Sequence, residues 1–148
     1  MNKFLTIAAA TILATGPALA ESELAGDVAA GEKAFGQCAS CHVVQNEEGE
    51  TLAGRNAKTG PNLYGIAGMK AGELEGFRFG KSIIEAGEKG LVWNEEKFVA
   101  YVQDPAAFLK AELDDSKARS KMAFKVRKEE DAINLYAFLA SLAPPVEN

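Results

Sequence analysis

Five consecutive residues, Cys38-Ala39-Ser40-Cys41-His42, constrain this chain more than any other stretch. A C-x-x-C-H run is the attachment signal of a c-type haem. Two thiols separated by two residues can each add to a vinyl group of one porphyrin. The histidine that follows is then held beneath the iron and can coordinate it. A chain carrying this run has to fold around a large, flat, mostly apolar group.

The residue inventory disfavours other uses of the motif. The chain has 148 residues with two cysteines and one histidine, all three inside the pentapeptide. A structural zinc site needs four ligands, and no second cluster supplies the fourth. A redox-active dithiol is expected beside a βαβ pattern, and none follows. A disulfide across so short a loop would restrain little of the unfolded chain. It remains the alternative, in which the chain would be a secreted interaction module.

Residues 1–20 have the pattern of a secretory signal: Lys3, an apolar run from Phe4 to Leu13, the helix breaker Pro17, and Ala18-Leu19-Ala20 as the cleavage pattern. The run is too short to span a bilayer comfortably. The expectation is export to the periplasm, cleavage after Ala20, and one domain over residues 21–148 that does not span the membrane. Cleavage removes one of the 16 basic residues and none of the 21 acidic ones, moving the formal charge from −5 to −6. So acidic a chain is a poor partner for nucleic acid.

The remainder predicts short helices joined by long loops, an all-α chain with no strand. Asp27 caps a first helix with Val28, Gly31, Ala34 and Phe35 on one face. Asn46 to Asn56 is a polar loop. Lys81 to Ala86 is a short helix ended by Gly87. Asn94 caps a helix whose apolar stripe is Phe98, Tyr101 and Val102. Asp104-Pro105 opens another, with Phe108 and Leu109 buried. Glu129 starts the strongest helix, with Ala132, Leu135, Tyr136, Leu139 and Leu142 on one face, closed by Pro144-Pro145. Loops this long are unusual in a compact domain, and a wrapped cofactor accounts for them. The carbonyl of a residue near Pro61 is placed to accept the ring N–H of His42.

His42 is the sole histidine, so a second imidazole from this chain is excluded. The sixth iron position falls to methionine, to a donor such as lysine or tyrosinate, to a terminal amine or water, or stays open. Beyond the signal stand Met69 and Met122. Met122 lies far downstream in an irregular segment able to fold back, and is favoured. Met69 stays as the alternative, and a lone methionine is also ordinary core filler.

The ordered set Cys38 to His42, Thr59-Gly60-Pro61-Asn62-Leu63, Gly90-Leu91-Val92-Trp93-Asn94, Tyr101 with Pro105, Lys121-Met122-Ala123-Phe124 and Asn134 to Leu139 resembles the class I cytochromes c, in particular the bacterial cytochrome c2 group. The likeness runs from Gly26 to about Leu142. It implies the cytochrome c fold, several short helices and long loops wrapped around one covalently bound haem c. It implies thioether bonds at Cys38 and Cys41, and His42 and Met122 as axial ligands. Pro61 would offer its carbonyl to His42, Trp93 would bond a propionate, Tyr101 would bond the Met122 sulfur, and Phe124 would support the pocket. Phe35, Leu135 and Phe138 would join the first and last helices. Met69 stands where the group commonly has a basic residue near the inner propionate, and Phe77 and Phe79 where relatives often have tyrosine.

Two protein ligands leave no open iron site, so the expected role is electron transfer and not enzyme catalysis. A small peroxidase or gas-binding haem protein would need accessible iron. From Lys117 to Lys128 there are six basic residues and no acidic one: Lys117, Arg119, Lys121, Lys125, Arg127 and Lys128. With Lys33 and Lys58 they form a candidate docking face for acidic partners, engaged transiently and weakened by salt. The ordinary alternative is a solvated loop. The resemblance implies a monomer that takes electrons from a cytochrome bc complex and gives them to a photosynthetic reaction centre or a terminal oxidase.

Overall fold

Helix caps written into the sequence set where the chain turns. Asp27 accepts the Ala30 N–H at 2.7 Å and starts α1, Val28–Phe35. Asn94 accepts the Lys97 N–H at 2.8 Å and starts α3, Glu95–Gln103. Asp104 accepts the Ala107 N–H at 3.1 Å, and with Pro105 in the first turn it starts α4, Pro105–Leu113. Each cap satisfies an amide that the helix itself cannot. The remaining helices are α2, Lys81–Glu88, and α5, Glu129–Ser141. These elements come from a computed structural model that describes residues 24–144. The expected signal segment, residues 1–20, lies outside the described residues.

The fold is mostly helical, as expected, with one correction. Val43–Gln45 (β1) and Thr51–Gly54 (β2) pair antiparallel as a small hairpin, with a register shift between Val44 and Gln45. Asn46 to Gly49 is its acidic tip, so the polar loop expected there is partly strand. Three- and four-residue strands are too short to show a period.

Helices α1 and α5 make the most extensive helix contact. Gly31 permits it: a Cβ there would run into the backbone carbonyl of Asn134. The rings of Phe35 and Phe138 meet beside it at 5.7 Å. Val28 departs from expectation and is 44 % exposed. The core then runs through Val44, Trp93, Phe98, Val102, Leu109, Leu135 and Leu139.

Gly87 does not end α2; it lies inside it, pressed on the Ala71 carbonyl where a Cβ could not fit. A glycine that looks like a stop signal is here a packing residue. Residues 68–71 run antiparallel to 91–93 through Gly68 N–H to Trp93 C=O, Trp93 N–H to Met69 C=O and Ala71 N–H to Leu91 C=O, at 2.8–2.9 Å. That pairing anchors the glycine-rich loop against the core.

Candidate functional site

A cavity of about 390 Å³ opens between the C-terminal end of α1, the 59–83 loops, α3 and the strap from Arg119 to Phe124. Its lining is dominated by apolar groups, among them Phe35, Leu63, Ile66, Phe77, Phe79, Trp93, Leu135 and Leu139. Cys38, Cys41, His42, Pro61, Trp93, Tyr101, Met122 and Phe124 all line it. Residues spread over nearly ninety positions thus meet in one space, of a volume typical of cofactor sites. A second hollow, lined by Asp27, Glu129 and Glu130, contains none of them.

The cysteines leave α1 on a continuing series of turns, with Cys38 N–H bonded to Phe35 C=O at 2.8 Å and Cys41 N–H to Cys38 C=O at 3.0 Å. They are free thiols, not joined to each other. Burial, with the nearby Cys41 thiol, pushes the Cys38 pKa up to about 11. The pocket therefore favours an uncharged sulfur at this position.

His42 Nδ1 stands 2.9 Å from the Pro61 carbonyl oxygen. A carbonyl can only accept, so Nδ1 carries the proton and Nε2 is left with its lone pair. Burial holds the His42 pKa below its ordinary value, against the opposing pull of the Pro61 bond. A neutral imidazole of fixed tautomer is the form that coordinates iron. Gly60 makes room for the ring, since a Cβ there would strike it.

The strap that carries Met122 is tied at several points. Arg119 N–H donates to Ser82 Oγ at 3.0 Å, Lys121 Nζ to the Arg78 carbonyl at 2.6 Å, and Val126 N–H to the Val102 carbonyl at 2.8 Å. The Tyr101 hydroxyl meets Ser120 Oγ at 3.2 Å, and Ser120 Oγ accepts the Met122 N–H at 3.0 Å. Ser120 thus stands between the Tyr101 hydroxyl and the backbone of Met122. Burial raises the Tyr101 pKa, partly offset by Ser120.

Met69 also lines the cavity, but it packs against the apolar core, which Met122 does not. That difference fits filler at Met69 and a thioether available for other work at Met122. Trp93 is buried, its ring 4.9 Å from that of Tyr101, while its carbonyl accepts the Tyr136 hydroxyl at 3.1 Å. Phe124, expected as pocket support, is 46 % exposed and forms part of the rim. Phe77 and Phe79 meet edge to face at 4.8 Å and line the cavity as a pair.

Sequence reasoning missed Ser120, whose role depends on Tyr101 nineteen residues away. It also missed Asn62, whose side chain binds the Gln45 backbone. The eight basic residues of the candidate docking face are all exposed, but Lys125 is paired with Asp104 at 2.6 Å. An apolar cavity with two thiols, a neutral imidazole and a free thioether fits a covalently held haem.

No family model matches the chain. Cytochrome c2 of Rhodovulum adriaticum is 61 % identical over 120 residues, covering 81 % of this chain and 95 % of that protein. Cytochrome c2 of Cereibacter sphaeroides is 53 % identical over 138 residues, 93 % of each. The crystal structure of cytochrome c2 from Rhodobacter sphaeroides superposes with a TM-score of 0.79 at 54 % identity, over 81 % of this chain and 99 % of that one.

Proposed function

This chain belongs to the cytochrome c2 family, mono-haem electron carriers with one covalently bound haem c, and from that premise we propose how its residues do the work. Cys38 and Cys41 hold the haem by thioether bonds. His42, through Nε2, and Met122, through its sulfur, would hold the haem iron. The observation that carries this reading is the single cavity that gathers all four side chains. When bound, the haem supplies reversible one-electron chemistry at its iron.

The rest belongs to the chain. The Pro61 carbonyl fixes the imidazole tautomer and keeps the ring a good donor. A Met122 thioether as the second ligand would favour the ferrous state and raise the potential. The apolar lining acts in the same direction, because the ferric centre carries the extra charge. Trp93, which lines the cavity, would bond a propionate by the resemblance. With both iron ligands supplied by the protein, the bound haem would exchange electrons by outer-sphere transfer, and exposed Phe124 stands on the rim of the cavity.

The exposed residues Lys33, Lys58, Lys117, Arg119, Lys121, Arg127 and Lys128, with Lys125 partly neutralised by Asp104, form the docking face. Arg78, also exposed, joins it beside Lys121. Partners are acidic and engaged transiently: a cytochrome bc complex as donor, a photosynthetic reaction centre or oxidase as acceptor. The setting is the periplasm, after cleavage at Ala20, with residues 21–148 as one monomeric domain. Among the described residues no helix is long and apolar enough to cross a membrane.

Two measurements test this. Mass spectrometry of the exported protein should show the polypeptide from Glu21 plus one haem. The ferric spectrum should carry a thioether–iron charge-transfer band that vanishes in Met122→Ala and survives in Met69→Ala. The opposite pattern would assign the ligand to Met69.

A further inference from the structure

The segment after the haem motif and the segment around Pro61 run side by side, and their connection has a feature that neither segment supplies alone. Gly60 N–H donates to the Cys41 carbonyl at 2.7 Å, and Leu63 N–H to the Val43 carbonyl at 2.9 Å. Between them lies the bond from His42 Nδ1 to the Pro61 carbonyl. Pro61 has no N–H with which to anchor itself. The position of its carbonyl therefore rests on its neighbours.

Asn62 supplies the far anchor. Its Oδ1 accepts the Gln45 N–H at 3.0 Å, and its Nδ2 donates to the Gln45 carbonyl at 2.7 Å. The carboxamide thus offers Gln45 the acceptor and donor that a neighbouring strand would offer. Oδ1 also accepts the Tyr64 N–H at 3.1 Å, which closes the turn after Pro61. Three backbone partners fix which end of the amide points where, since a flip would set donor against donor. Gln45 sits beside the register shift in the hairpin, where regular strand pairing is interrupted.

We infer that Asn62 is a positioning residue for His42: by clamping its own segment to Gln45 it holds the Pro61 carbonyl at Nδ1. This rests on His42 being an iron ligand. A carbonyl held at that proton makes the imidazole the stronger donor and stabilises the ferric state. Removing the clamp lets the carbonyl drift, weakens the donor and raises the midpoint potential.

The test uses the intact haem-loaded protein. Asn62→Ala should raise the midpoint potential, changing the reduced-to-oxidised ratio at fixed ambient potential by up to about tenfold. It should also speed exchange of the His42 Nδ1 proton, read by NMR in the ferrous state. Leu109→Ala serves as control: it opens a fully buried site in α4 and lowers stability without touching this ladder, so both readouts should stay at wild-type values. An Asn62→Ala protein that loses stability but keeps the wild-type potential and exchange rate would overturn the inference. If Asn62→Ala yields no loaded protein, Asn62→Asp decides. It keeps an acceptor for Gln45 and Tyr64 but sets a carboxylate against the Gln45 carbonyl. Its added charge moves the potential by itself, so proton exchange is the readout: faster supports the clamp, unchanged overturns it. Hyperfine-shifted His42 ring signals in the NMR spectrum of the ferric wild-type protein check the His42 ligand reading separately, because they do not depend on Asn62.

Discussion

The hydroxyl of Tyr101 lies 3.2 Å from Ser120 Oγ, and the same oxygen accepts the Met122 N–H at 3.0 Å. A side chain of α3 is thereby joined, through one serine, to the backbone of the strap. Ser120→Ala removes both bonds and leaves the half-buried Tyr101 hydroxyl without this partner, at a cost of about 1 kcal/mol. The loss should concentrate on the strap. In a denaturant titration the thioether–iron band should disappear before the helical circular dichroism, and at lower denaturant than in wild type. Tyr101→Phe keeps the Met122 N–H bond and should separate the two transitions less.

The same tyrosine gives a pH dependence. Burial raises the Tyr101 pKa above 10, and Tyr136 is raised likewise, by burial and by the Glu95 charge. The unfolded chain then loses these protons before the folded one does. Stability from this source is complete below pH about 10 and falls as pH rises through the folded values. Tyr101→Phe should flatten that alkaline limb, measured as denaturation midpoint against pH, and Tyr136 should account for what remains.

What was legible in the sequence follows the range of the interaction. The caps Asp27, Asn94 and Asp104 could be read because a cap joins a side chain to an amide three residues on. Helix α5 was legible because thirteen residues are long enough for a period to show. Gly87 was misread because the Ala71 carbonyl that requires it is sixteen residues away. The hairpin escaped because its strands are short and its tip is acidic. The cavity residues were legible mainly through the order of short motifs, and the Tyr101–Ser120 bond was not, since it arises only when α3 and the strap meet.

Two glycines should separate stability from ligation. Gly31→Ala drives a methyl group into the Asn134 carbonyl at the α1–α5 contact. It should lower unfolding stability by about 1–3 kcal/mol, with the iron spectrum of the folded fraction unchanged. Gly60→Ala aims its methyl group at the His42 ring. It should change the axial-ligand spectrum and the yield of haem-loaded protein. Calorimetry and absorption on both variants check the contrast, and an unchanged Gly60→Ala spectrum would show that the ring has room to move.

Asp104 connects the fold to the proposed docking face. Its carboxylate caps α4 through Ala107 and pairs with Lys125, three residues beyond Met122, at 2.6 Å. The Lys125 bond, then the Ala107 amide, hold its pKa below the ordinary carboxylate value. Its stabilising contribution is therefore present above pH about 4 and is lost as pH falls through the lower folded value. Asn is also a good helix cap, so Asp104→Asn should keep α4 while releasing Lys125 to act as an unpaired charge. The face gains one net positive charge, and association with an acidic partner should become faster and fall more steeply with salt. Lys125→Ala does the reverse, removing the cation and leaving the Asp104 charge on the same surface, and should slow association. Stopped-flow rates of the two variants against ionic strength should therefore move to opposite sides of the wild type. Rates that coincide with wild type at low salt would place the contact surface away from this pair.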